Sequence, residues 1–88
     1  MFYIENLQEI SQEEIQELHR KIADNVKTIR KLKNISQLNL AYSIGHKTVS
    51  TIAKIEAGHE NKHYNIEQLY KIANVLQVDI RDFFIFQK

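Results

Sequence analysis

The residues that could do chemistry in this chain fall into two groups. The first is His59-Glu60-Asn61-Lys62-His63, which matches the zinc-peptidase string H-E-x-x-H. That chemistry requires both histidines one turn apart on a helix, a third ligand and a cleft for substrate. The string directly follows Gly58, in a polar stretch from His59 to Asn65 that is expected to be loop, and no third ligand stands at a typical spacing. No metal site is expected. No Ser/His/Asp set or glycine-rich phosphate loop stands out, and adjacent acids such as Glu13 and Glu14 project about 100° apart on a helix instead of converging. The chain therefore reads as a non-enzyme without a cofactor, with His19 and His46 at its surface.

The second group is a polar and basic run, Lys47-Thr48-Val49-Ser50, continued by Ala53 and Lys54. Charge along the chain gives it a setting. Residues 1–20 carry five glutamates against one arginine, a net −4, whereas residues 21–64 carry eight basic against three acidic residues, a net +5. Residues 65–88 balance at three of each. An acidic head on a basic middle suits a polyanion-facing surface with something different attached in front.

Composition bounds the elements that must position these side chains. The chain has 88 residues, no cysteine, no proline and two glycines, with 43% hydrophobic and 26% charged residues. This is one small domain rich in helix, too small for a large catalytic cleft. Without cysteine it has neither a disulfide nor a thiolate metal site, which suits a reducing, cytoplasmic location. No apolar run approaches the roughly 18 residues of a membrane span, and no signal-peptide pattern opens the chain.

Residues 11–33 read as helix, with a break near His19–Lys21 left open. Ser11 and Glu14 fit a capping box, and Ile15, Leu18, Ile22, Val26 and Ile29 recur on one face. Asn34 is a left-handed stop. Ser36 caps a second helix, Gln37 to Ile44, ended by Gly45; Thr48 caps a third, Val49 to Glu56, ended by Gly58. A fourth runs from Ile66 to Leu76 with Ile66, Leu69, Tyr70, Ala73 and Leu76 at helical spacing, and Asp79 caps a short final helix carrying Phe83 and Phe84. Residues 1–10 place Ile4, Leu7 and Ile10 at threes, too short a segment to assign.

Two short helices with Ala41 inside the first and Gly45 at the turn can hold one helix outward. Ile44, Ile52 and Ile55 fill the angle between them, which frees Val49, Ser50, Ala53 and Lys54 from core duty. A helix about 10–12 Å across fits a DNA major groove about 12 Å wide.

The run from Ile22 to Phe84 resembles the helix-turn-helix domain of the phage repressor/Cro (XRE) family. The resemblance rests on Ile22, Val26, Ile29-Arg30, Ile35-Ser36-Gln37, Leu40-Ala41, Ile44-Gly45, Ile52, Ile55-Glu56, Gly58, Ile66 and Leu69, completed by Lys71-Ile72-Ala73, Leu76-Gln77-Val78 and Phe83-Phe84. It implies an all-α fold, a five-helix repressor-like domain over residues 21–88, here preceded by an acidic N-terminal extension over residues 1–20 that is helical from residue 11. It also implies a transcriptional regulator that binds double-stranded operator DNA, usually as a two-fold homodimer.

By the same resemblance, Gln37 anchors a phosphate, and Thr48, Val49, Ser50, Ala53 and Lys54 face the groove. Asn61, Lys62, His63 and Tyr64 lie in a loop that contacts the DNA backbone. Arg30 and Glu56 match a partly buried ion pair linking the first helix to the third. Eleven steps separate Gly45 from Glu56 where the family usually has ten, so either Lys47 or Thr48 begins the reading helix. The competing expectation is an antitoxin-like interaction module, with the acidic N-terminal segment binding a partner protein. Phe2, Ile4, Leu7 and Ile10 of that segment, together with Phe83–Phe86, are candidates for a dimer interface.

Overall fold

The computed structural model describes residues 9–59 and 61–87. Its first helix, α1 (Gln12–Leu32), begins where the sequence marks it. The Glu14 amide donates to the Ser11 hydroxyl at 3.1 Å and the Ser11 amide donates to the Glu14 carboxylate at 3.4 Å, closing a capping box. The 21-residue helix is unbroken through His19–Lys21, so the boundary expected between residues 20 and 21 falls inside it. Then come α2 (Gln37–Ser43), α3 (Ser50–Glu56) and α4 (Ile66–Leu76), the last started by a second capping box between Asn65 and Gln68.

The chain does not form the expected fifth α-helix. After the Asp79 cap it makes a 3-10 helix, Ile80–Phe84, giving four α-helices among the described residues. The side-chain amide of Asn25 on α1 donates to the carbonyls of Phe83 at 2.9 Å and Ile85 at 3.0 Å. These carbonyls are held by α1 instead of by a following helical turn, and the chain leaves the 3-10 helix in an extended conformation at Ile85.

All four α-helices stop alike. Asn34, Gly45, Gly58 and Gln77 take positive φ, and the next amide reaches back to the helix: Ile35 to Arg30, His46 to Ala41, His59 to Lys54 and Val78 to Ala73, at 2.9–3.1 Å. This is the Schellman arrangement. At Gly58 the absent side chain also matters for space, since a Cβ there would lie 3.1 Å from the Arg20 guanidinium.

Val26, Leu40, Ile52, Ile72, Leu76 and Phe83 are the large side chains buried most completely, one or two from each element. Fully buried Ala41 lets α3 cross α2 closely. Of the residues at helical spacing on α4, Ile66 and Tyr70 are exposed; the buried face is made by Leu69, Ile72, Ala73 and Leu76. Ile15 and Leu18 of α1 are also exposed, because the first half of α1 runs past the body beneath it.

One polar cluster ties the three N-terminal helices together. Arg30 donates from Nε to Glu56 Oε2 and from Nη2 to Glu56 Oε1, both at 2.8 Å, and from Nη1 to the Ile35 carbonyl at 2.6 Å. Gln37 Nε2 adds a 2.9 Å bond to Glu56 Oε1. The two charged side chains are only 8% and 2% exposed. Burial acts to raise the Glu56 carboxyl, but the hydrogen bonds from Arg30 and Gln37 and the charges of Arg30 and Lys27 outweigh it, leaving it below its ordinary 4.5. A buried charge that loses its partner is strongly destabilising. Glu56→Ala is therefore expected to lower stability by about 3 kcal/mol, read as a drop in thermal midpoint. Because the folded pKa is depressed, the stability due to Glu56 is complete above the ordinary carboxylate value and is lost as pH falls through the folded one. A pH series of melts should show this acid-side loss in the parent chain and a shallower one in Glu56→Ala.

Candidate nucleic-acid interface

The segment from Gly45 to Glu56 is assembled in two parts. The turn between α2 and α3 occupies residues 44–49, and α3 begins at Ser50, one residue later than expected. Val49 takes the N-cap position with helical φ and ψ and supplies no side-chain cap. Thr48 serves locally instead, its hydroxyl accepting the Ser50 amide at 3.3 Å. The side-chain oxygen thus stands one position before the cap. The second helix correspondingly stops at Ser43, with Ile44 as its cap.

On α3, Ile52 and Ile55 point into the core and Glu56 into the polar cluster. Helical geometry then sends Ser50, Ala53, Lys54 and Ala57 to the other side. Ser50, Lys54 and Ala57 are exposed and Ala53 is half-buried, as is Val49 before the helix; Lys47 and Thr48 are exposed on the approaching turn. Ala57 was missed by the sequence reading. It is small, uncharged and outside the helix proper, so nothing in its type marks it, yet it extends the same outward flank.

Gln37 stands beside this flank, half-buried, with its amide group fixed on Glu56. An amide nitrogen carries two N–H groups, and this bond uses one of them. The same cluster that sets the angle of α3 therefore orients the Gln37 side chain.

The loop before α4 divides. Asn61 (φ 64°) and Lys62 are exposed, and the Lys62 amide closes a turn on the His59 carbonyl at 3.3 Å. His63 stacks on His19 of α1, with ring centroids 3.8 Å apart and planes at 17°. His19, expected at the surface, is half-buried; burial, then the neighbouring His63, pushes its pKa down. His46 is half-buried too. His59, Asn61, Lys62 and His63 are all non-helical, so the histidine string lacks the one-turn helical spacing its chemistry requires.

Tyr64 is the correction in this group. Placed by the resemblance in the backbone-contacting loop, it is instead 5% exposed and belongs to the hydrophobic core. Burial, and then the negative charge of nearby Glu56, pushes its phenol well up. A polar loop needs an anchor where it rejoins the body, and the large, mostly apolar tyrosine ring supplies it. Alternation cannot reveal this in a stretch with no regular period. Arg20 is a second residue missed: it lies over Gly58 and, with His59 and Lys62, lines a small cavity of about 30 Å³ between α1 and the end of α3.

The family model described as helix-turn-helix, of the XRE (Cro/C1) type, matches residues 26–83, from the middle of α1 to the buried phenylalanine of the 3-10 helix. No curated protein matches the sequence. No helix among the described residues is long and apolar enough to cross a membrane.

Because Tyr64 anchors the loop in the core, Tyr64→Ala should cost about 3 kcal/mol, the scale of aromatic truncation in a core. A solvent-exposed loop side chain would change stability by under about 0.5 kcal/mol. Urea unfolding separates the two outcomes.

Proposed function

We propose, because this chain belongs to the XRE-type (Cro/C1) helix-turn-helix family, that it is a sequence-specific regulator that reads double-stranded DNA through the major groove with the outward flank of α3. The observation that carries this reading is the division of α3 into two faces. Ile52, Ile55 and Glu56 lock one face to the body, and Ser50, Lys54 and the preceding Lys47 and Thr48 are left to solvent. Such a flank on a helix about 10–12 Å across can enter a groove about 12 Å wide.

Roles then follow from side-chain chemistry. Lys54 reaches guanine acceptors, and Val49 or Ala53 packs against a thymine methyl. Lys47, Lys62, Asn61 and the free N–H of Gln37 engage phosphates, supplying the salt-dependent part of affinity and fixing register. Two copies on a two-fold site would read half-sites about 10–10.5 base pairs apart.

Selection of bound sequences from a random duplex pool, followed by affinity measurements across a salt series, tests the reading. Lys62→Ala should weaken binding to all duplexes alike and reduce the salt slope by about 1. Lys54→Ala should cost about 1–3 kcal/mol on the selected site and flatten preference at one base position. A folded protein that binds no duplex even at low salt would falsify the assignment.

A further inference from the structure

We propose that the groove between the first half of α1 and the C-terminal tail is a docking site for a basic amphipathic helix of a partner protein. This goes beyond DNA recognition and does not depend on it.

The groove has a fixed apolar floor. Ile15 and Leu18 continue the stripe that Ile22 and Val26 bury further along α1, yet they are 39% and 45% exposed. Phe86 lines the same groove as Leu18 and is 37% exposed. The Asn25 amide group holds the carbonyls of Phe83 and Ile85, which fixes the tail that presents the Phe86 ring. A partner meeting this floor has no tail to order, which lowers the entropic cost of binding.

Charge selects the occupant. Glu13, Glu14 and Glu17 border the floor against a single cation, Lys21. Lys21 stands over the Phe86 ring, its Nζ 5.9 Å from the centre. The three glutamates are exposed, and none is ion-paired among the described residues. The helix dipole favours acids in the first turn, where Glu13 and Glu14 lie, but Glu17 stands beyond it. A second copy of α1 would set glutamates against glutamates, and a nucleic acid would meet the same repulsion. A helix with large apolar side chains on one stripe and lysine or arginine beside them fits both features. Its apolar side chains enter between Leu18 and Phe86. Its cations, one turn apart, meet Glu13 and Glu17, which are themselves one turn apart.

Fluorescence anisotropy with the full chain tests this. The probe is a labelled alanine-based helical peptide of about four turns, with a leucine stripe flanked by lysines. It should bind at micromolar concentrations and weaken as salt is raised. Exchanging its lysines for glutamates should abolish binding, and exchanging its leucines for alanines should weaken binding about tenfold. In the protein, E13Q/E17Q should weaken binding about tenfold and Leu18→Ala about fivefold. Glu67→Gln, at an exposed acid on α4, should leave it unchanged. Circular-dichroism melts check that every variant is folded. The proposal is overturned by a lysine–leucine peptide that stays unbound at hundreds of micromolar. Equal binding of the leucine-free peptide overturns it too, as does an affinity that neither groove variant changes. Sedimentation equilibrium of the same samples reads the other occupant: a dimer that Leu18→Ala dissociates and the peptide fails to displace assigns the groove to a second copy, against the proposal.

Discussion

The arrangement of the three N-terminal helices depends on one buried guanidinium. Arg30 reaches Glu56 on α3 with two nitrogens and the carbonyl that follows α1 with the third, and Gln37 on α2 completes the set on the same carboxylate. A lysine could not replace it. The ammonium is a point charge, whereas the planar fork of arginine matches both carboxylate oxygens at once. The low local dielectric makes the cluster all-or-none: fully hydrogen-bonded it sets an angle between helices, and half-filled it would leave a charge stranded.

That constraint matters because α3 has seven residues. A helix of two turns has little stability of its own in water, so its position is dictated by what it packs against. Ile52 and Ile55 provide apolar contact, which is strong but not directional. Glu56 provides direction. The outward flank of Ser50 and Lys54 is a consequence of these three inward anchors, and Gln37 is aimed by the same carboxylate that aims the helix.

Helix α1 organises the rest as a spine with two different edges. One edge meets the loop after α3 through Arg20 over Gly58 and His19 on His63. The opposite edge holds the C-terminal tail through Asn25 and continues into the groove beside Phe86. The loop and the tail are the least regular parts among the described residues that follow α1. Each is fixed to α1 by specific polar or stacking contacts, not by secondary structure of its own.

The sequence by itself determined where most of the helices begin and end. Ser11 with Glu14, Asn65 with Gln68, Asn34 and the two glycines act within a few residues of themselves, so their meaning survives without knowledge of the fold. Gln77 also takes the left-handed cap, although its residue type carries no such signal. The pairing of Arg30 with Glu56 was legible only through family resemblance, since 26 positions separate the two. Only the tertiary structure decided that Tyr64 is core while His63 stacks on α1, that Ile72 is buried in place of Tyr70, and that Ile15 and Leu18 lie open. Periodicity reports which side chains share a face, but how far a neighbouring body extends beneath that face is a property of the whole chain.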